Sequence, residues 1–379
     1  MRLFEKFNYD FLGKRKFAYA ISGGLFLLGV IGAFTRGFHF GIDFLGGSEI
    51  VLQFAKPVNI SEVRTDVENI GLGNIEVKTF GGETGVMIRT EIQTIPAQVY
   101  PSVISGIENE IEKIMPGVPR KITDSTASSV TYEFANPDTA NKIIDGLFEA
   151  GFQSGRVSEE PGNTKMLVSV GIADWIKENL REKIKDNPFT VLKEDRVGPK
   201  IGAELKRDAV LAIFFSLLAI LIYLGFRFKF IFAFGAVAAL FHDTLITLGL
   251  FAALYGLIPG LNLDLDLTIV AAFLTLIGYS INDTVIVYDR IRENLKIHKT
   301  RPLFDVMNTS ISQTMSRTVL TGGTTLLTVL VLLIFGGEVL RSFAFTLFFG
   351  IIIGTYSSIF VASTLVYEYA KMYNKKVEF

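Results

Sequence analysis

The sequence predicts a polytopic α-helical membrane protein with six transmembrane helices and an extracytoplasmic α+β domain between the first two. Three observations predict it. Apolar runs of span length fall at residues 17–34 and then at about 209–226, 230–257, 267–288, 318–336 and 342–369, each able to cross about 30 Å of hydrocarbon. Residues 36–207 hold no such run and instead repeat their own pattern at an offset of 80 positions. The short connections divide by charge. Arg227-Phe228-Lys229, the loop from Arg290 to Arg301, and the tail with Lys371, Lys375 and Lys376 are basic. The connection at 258–266 has no Lys or Arg and carries Asp264 and Asp266, and that at 337–341 holds one Glu and one Arg. Basic loops stay in the cytoplasm, so both termini are expected there and residues 36–207 outside.

Composition agrees with this division. The 379 residues are 49% hydrophobic and 20% charged with a mean hydropathy of +0.41, a mixture that fits several spans plus one sizeable soluble region. A net charge of −1 leaves no global basic field for nucleic acid. The absence of cysteine excludes disulfides, thiolate metal sites and cysteine nucleophiles. His39, His242 and His298 lie far apart without metal-ligand spacing, so neither a metal nor a cofactor is implied.

The N-terminus, residues 1–16, is basic, with Arg2, Lys6, Lys14, Arg15 and Lys16. The apolar run that follows ends in Thr35-Arg36-Gly37-Phe38 without a small-residue cleavage pattern, which predicts an uncleaved first span over 17–35. In the outer domain, Ile50 to Ile92 aligns without a gap onto Val130 to Ile172. Phe54-Ala55-Lys56-Pro57 matches Phe134-Ala135-Asn136-Pro137, and Gly71, Val77, Gly82, Thr84 and Ile92 match Gly151, Val157, Gly162, Thr164 and Ile172. Alternation and turn residues predict strand 50–54, helix 59–70, strands 74–80 and 85–90, helix 98–115 and strand 118–124. The second copy gives strand 129–134, helix 138–150, strands 153–159 and 164–170, helix 173–186 and strand 189–196. That order is βαββαβ twice, the ferredoxin-like unit, with copies at 44–125 and 126–197. Neither copy offers a catalytic triad, metal cluster or phosphate loop; Gly46-Gly47 and Gly81-Gly82 read as turns.

The five later spans occupy 208–370, with a cytoplasmic tail at 371–379. The fourth ends in Leu276-Ile277-Gly278-Tyr279-Ser280-Ile281-Asn282-Asp283-Thr284-Val285-Ile286-Val287-Tyr288-Asp289-Arg290. An Asp inside a span costs about 2.5–3.5 kcal/mol on insertion scales and normally faces a protein interior with a task there. At a 3.6-residue period Thr275, Tyr279, Asn282, Asp283, Ile286 and Arg290 share one face. Leu274, Ile277, Ile281 and Val285 lie opposite, toward lipid or apolar neighbours. In the fifth span Arg317, Thr321, Thr324, Thr325 and Thr328 form a second polar stripe. In the sixth, Gly350-x-x-x-Gly354 followed by Ser357-Ser358 is a small-residue packing face. His242-Asp243 sits about 20 Å into the third span, either in a proton path or as an inert polar contact.

Together these residues resemble the SecF family of bacterial export subunits. The likeness rests on Gly41-Ile42-Asp43-Phe44-Leu45-Gly46-Gly47, Val197-Gly198-Pro199-Lys200-Ile201-Gly202 and Phe241-His242-Asp243. It continues through Gly278 to Thr284, Asp289-Arg290-Ile291-Arg292-Glu293-Asn294, Gln313-Thr314-Met315-Ser316-Arg317-Thr318, and Gly354 to Phe360. The resemblance implies a non-enzymatic inner-membrane subunit that pairs with SecD and works beside the SecYEG channel, with an accessory subunit and insertase as further partners. Such a pair uses the proton, or in some species the sodium, gradient to help pull unfolded exported polypeptides across. It also implies that Asp283 and Arg317 are the ion-coupling pair; Asn282, Thr321 and Asp243 complete the candidate set. One departure stands out: members of the family usually carry a single ferredoxin-like unit, and here a whole unit reads as inserted.

The chemistry of such a pair is elementary. Burial disfavours a charged carboxyl and a nearby guanidinium favours it, which gives two states, a neutral Asp283 released from Arg317 and an ionised one paired with it. Alternating access of that site to the two sides would convert ion flow into helix movement. Two other readings are weaker. Half of a resistance-nodulation-division exporter would need a partner and different fourth-span motifs. An intramembrane aspartyl protease using Asp243 and Asp283 would need a Gly-x-Gly-Asp signature, and its shared proton sits badly beside Arg317.

Overall fold

The structure is a computed structural model, and it describes residues 9–70, 75–92, 95–126, 128–150, 152–158, 160, 162–258 and 261–373. Arg2, Lys6, Gly71, Gly151, Lys375 and Lys376, used above, lie outside the described residues. The chain divides into two compact units, one formed by the residues up to Gly41 together with those from Glu204 onward, the other by Ile42–Ala203.

In the Ile42–Ala203 unit a short helix α2 (Ile42–Leu45) leads into β1 (Gly47–Phe54), α3 (Ile60–Glu68), β2 (Ile75–Thr79), β3 (Gly85–Thr90), α4 (Tyr100–Ile114) and β4 (Arg120–Thr126). The second series is β5 (Ser129–Phe134), α5 (Pro137–Glu149), β6 (Gln153–Arg156), β7 (Lys165–Ser169), α6 (Ile172–Lys183) and β8 (Phe189–Val197). The predicted βαββαβ order therefore occurs twice. Local chemistry explains the helix starts. Asn59 and Asn136 cap α3 and α5 by accepting from the backbone N–H groups of Ser61 and Thr139, which satisfies donors that a helix N-terminus leaves orphaned. At the turn before β1, Gly46 and Gly47 have φ of 77° and 124°. A Cβ on Gly47 would stand 2.3 Å from the Thr90 carbonyl oxygen, so the turn requires glycine.

The sheets do not follow the sequence halves. They are antiparallel with orders β2-β3-β1-β8 and β4-β5-β7-β6, so each series gives its last strand to the other sheet. The second sheet is built from the continuous stretch α4 to β7, set within a first sheet completed only by β8. The cause is local. Residues 127–128 alone separate β4 from β5, and so short a connection makes adjacent antiparallel partners. Tyr100 clamps that hairpin by donating to the Thr126 and Ser129 carbonyls. With β4 committed, the free edge of β1 is taken by β8, Glu49 opposite Asp195. One core joins both sheets, with Ile50, Leu52 and Ile88 from one and Val130, Tyr132 and Val168 from the other. The reverse face of β1 carries a buried Glu49 that binds Arg89 at 2.8 Å and Lys193 at 3.1 Å.

Among the described residues, six helices are long and apolar enough to cross a membrane. They are α1 (Arg15–Thr35, preceded by a 3-10 turn from Leu12), α7 (Pro199–Arg227), α8 (Phe230–Leu254), α9 (Leu267–Ile297), α10 (Leu303–Phe335), and a last span of α11 (Gly337–Ser357), a π-helical turn (Ser358–Ala362) and α12 (Ser363–Met372). Several extend well beyond their apolar runs. α10 starts at Leu303, which puts Arg317 well inside the helix rather than at its mouth. α1 lies against α8 through small residues: a Cβ on Gly29 would be 2.8 Å from Gly249 Cα, and one on Gly32 2.5 Å from Ala253 Cα, the close backbone approach that small residues permit. The exit of α1 is fastened to the α8–α9 connection, where the N–H of Gly41 donates to the Leu265 carbonyl at 2.7 Å and that of Leu265 to the His39 carbonyl at 2.8 Å. Asp266 then caps α9 by accepting from the Ile269 N–H at 2.9 Å.

Candidate functional site

Asp283 stands on the buried face of α9, 2% exposed. That face runs through Leu276, Ser280, Asp283, Thr284, Val287 and Ile291, set by the packing of α8, α10 and α11 around α9. The predicted polar stripe is therefore split. Thr275 and Asn282 are exposed, while Ile277, on the face expected to meet lipid or apolar neighbours, is buried. Neighbouring helices, rather than polarity alone, decide which side of an intramembrane helix is covered, because lipid and apolar side chains compete on nearly equal terms.

The hydroxyl of Thr355 on α11 donates to Asp283 Oδ2 at 3.4 Å. Arg317 is within electrostatic range of Asp283, but no ion pair joins them and its side chain is exposed. Along α10, Arg317, Thr324 and Thr328 are exposed and Thr321 half-buried; Tyr279 reaches across to Thr325 at 3.3 Å. The remaining motif residues fasten helices together. Gln313 accepts from Arg290 at 2.6 Å and from Asn294 at 2.9 Å, tying α10 to α9. Asp289 pairs with Arg227 at 3.3 Å, tying α9 to the end of α7. Gly278 faces open space, whereas a Cβ on Gly350 would meet the Leu276 side chain at 2.6 Å. Asp43 lies on α2 of the other unit, beside Gly46 and Gly47.

Asp243 is the better-connected acid. It is 1% exposed and accepts from the hydroxyls of Ser280 (2.7 Å) and Ser357 (2.8 Å) on Oδ2. Its Oδ1 lies 3.0 Å from His242 Nδ1. Gly354 gives this cluster its room: a Cβ there would stand 2.8 Å from Ser280 Oγ and 3.5 Å from Asp243 Oδ2. The last span is irregular beside it. The π-turn is held by Tyr288, which donates to the Ala362 carbonyl at 3.0 Å, and by a 3.0 Å contact between Thr284 and Ser358; such turns often mark functional positions in helices. Sequence reading missed Thr355, Ser280 and Ser357 as partners of the acids. Their signal was present in Gly354-Thr355-Tyr356-Ser357-Ser358, but small and hydroxylated residues on a membrane helix read first as packing.

Six candidate spans among the described residues, with Asp243 and Asp283 buried where α8, α9 and α11 meet and a double ferredoxin-like unit between the first and second spans, define a polytopic α-helical membrane protein. The family profile described as protein export membrane protein SecD/SecF, C-terminal, matches residues 176–372, and that of the SecD/SecF GG motif matches residues 31–58. The protein translocase subunit SecF of Rhodothermus marinus is 39% identical over 368 residues, 97% of this chain and 95% of its own. That of Koribacter versatilis is 36% identical over 388 residues, covering 97% and 93%. The chain belongs to the SecF family of protein translocase subunits. A crystal structure of SecDF, a translocon-associated membrane protein from Thermus thermophilus, matches 98% of the chain at a TM-score of 0.65 and 28% identity. The chain spans 40% of that longer SecDF chain.

Proposed function

We propose that the protein pairs with SecD in the bacterial cytoplasmic membrane and couples ion flow through Asp283 to the export of unfolded polypeptides at the SecYEG channel. The carrying observation is the exposure of Arg317, Asn282, Thr275, Thr324 and Thr328 on α9 and α10, beside a buried Asp283. A guanidinium facing hydrocarbon costs about 2.5–3.5 kcal/mol on insertion scales, so a polar intramembrane surface of another subunit covers this face. SecD is the subunit whose likeness supports that role, since the solved relative carries SecD and SecF together. The separation of Arg317 from Asp283 corresponds to the released state of the pair; ionisation of the carboxyl would draw the guanidinium in. Basic short loops support cytoplasmic termini and an outer Ile42–Ala203 unit.

The test is gradient-dependent release of a precursor from membrane vesicles. Asp283→Asn keeps the size of the side chain and removes its proton exchange, so the variant inserts and binds SecD but does not support release, while early ATP-driven steps survive. Arg317→Lys keeps a charge but loses the planar fork and gives a partial defect, with Arg317→Ala worse. Wild-type release by Asp283→Asn at normal expression would reduce Asp283 to a packing contact.

A further inference from the structure

A hydrogen-bonded series runs from Asp243 into α1, and its proton count does not balance. Asp243 Oδ1 lies 3.0 Å from His242 Nδ1, His242 Nε2 lies 2.9 Å from Ser22 Oγ, and Ser22 Oγ lies 3.0 Å from the Tyr356 hydroxyl, which donates to the Ala18 carbonyl. Each of these contacts needs one hydrogen. An ionised carboxylate brings none; a neutral imidazole, a serine and a tyrosine bring one each for this series. One contact is therefore left without a proton. The serines on Oδ2 do not relieve the shortage, because they donate to the other carboxylate oxygen. A single additional proton, on the imidazole or on the carboxyl, fills every contact.

We propose that His242 and Asp243 form a proton-binding site separate from Asp283, loaded with one proton and reached through Tyr356 and Ser22. The ends of the series suit such a relay. Asp243 is sealed, whereas His242, Ser22 and Tyr356 are each partly exposed. Histidine is the side chain that changes charge near neutral pH, and hydroxyls hand protons on without holding charge. Among the described residues, titratable groups on the elements that meet the pair are Tyr356 on α11, whose ring faces His242, Tyr19 on α1, one helical turn from Ser22, and Asp283 on α9, one turn from Ser280. The site is placed to move helices. Its proton state decides the strength of the bonds from Ser280 on α9 and Ser357 on α11, and Thr355, two residues before Ser357, holds Asp283. The inference goes beyond the Asp283 reading, and its test needs no export.

The test is a pH titration of the full chain in lipid nanodiscs, with nitrogen-15 in its three histidines; the His242 resonances are those absent from His242→Gln. As the pH is lowered through the titration the ring should take up one proton. The uptake registers as double protonation, or as a tautomer change accompanied by a carboxylic-acid infrared band that Asp243→Asn removes. Tyr356→Phe deletes two contacts of the series, after which neutral His242 and Ser22 suffice, so proton binding should weaken about fivefold, the worth of one net hydrogen bond. Asp283→Asn should leave the His242 transition present, because the site does not need Asp283 to bind its proton. A His242 ring that keeps one form throughout, a midpoint unmoved by Tyr356→Phe, or one abolished by Asp283→Asn would each overturn the proposal. If His242→Gln does not fold, the resonances that shift in Ser22→Ala and Tyr356→Phe make the assignment, and no such shift has the same meaning.

Discussion

Gly354 offers a sharp test of the seam between α9 and α11. An alanine Cβ at this position would stand 2.8 Å from Ser280 Oγ and 3.0 Å from Ser280 Cβ, below the distance that real carbon contacts tolerate. Two responses are open. Ser280 can turn away, which forfeits its 2.7 Å bond to Asp243, a hydrogen bond to a carboxylate worth about 1.5–3 kcal/mol. Alternatively α11 can move off α9, an overpacking response costing about 1–3 kcal/mol. The cheaper route wins, so Gly354→Ala should destabilise the membrane unit by about 2 kcal/mol. Gly278→Ala is the control, since nothing lies within 4 Å of its added Cβ and alanine is the better helix former by about 1 kcal/mol. The measurement is reversible unfolding of the purified chain in mixed micelles by increasing SDS. Ser280→Ala separates the two responses. If Gly354→Ala acts by turning Ser280 away, the double variant should be less destabilised than the sum of the singles. Equal stabilities for Gly354→Ala and Gly278→Ala would refute the argument.

Two further outcomes follow from the same reasoning. Gly32→Ala should loosen α1 from α8 and cost more than Gly24→Ala, because the Gly32 Cβ would meet backbone of Ala253 at 2.5 Å whereas nothing lies near Gly24; protease accessibility of α1 in membrane vesicles reads this out. In the Ile42–Ala203 unit, burial works against the Lys193 ammonium, but Asp195 and Glu49 beside it outweigh burial and raise its pKa above the ordinary lysine value. A raised lysine pKa adds stability in full below the unfolded value of about 10.4. That stability is lost as pH rises through the folded value. Hydrogen exchange of β1 and β8 in the full chain should therefore hold steady through neutral pH, after correction for intrinsic rates, and accelerate only above the ordinary lysine range. Acceleration near neutrality would contradict it.

Much of the architecture was legible in the sequence because it is local. Span-length apolar runs located the six candidate membrane helices of the described residues, and period-2 and period-3.6 patterns placed the strands and helices of the Ile42–Ala203 unit to within a few residues. The offset of 80 positions disclosed the repeat. What it did not disclose is pairing: β4 and β8 have equivalent positions in their series, and only the two-residue connection after β4 sends each to the other's sheet. The carboxylates were legible too, since an Asp within an apolar run is conspicuous.

Their partners were a matter for tertiary structure alone. Periodicity ranks the faces of a helix by polarity, and on that basis Asn282 and Asp283 shared a side; the packing of α8, α10 and α11 buries one and exposes the other. Ser280, Ser357, Thr355, Ser22 and Tyr356 converge from three helices far apart in sequence. Each is individually unremarkable in a membrane span, where a hydroxyl can satisfy itself on its own backbone. Only the crossing of those helices aims the hydroxyls at Asp243, His242 and Asp283. The sequence therefore determined which helices form and which acids lie within them, because both depend on neighbours along the chain. Tertiary structure decided which hydroxyls those acids bind, because that depends on residues up to 114 positions apart.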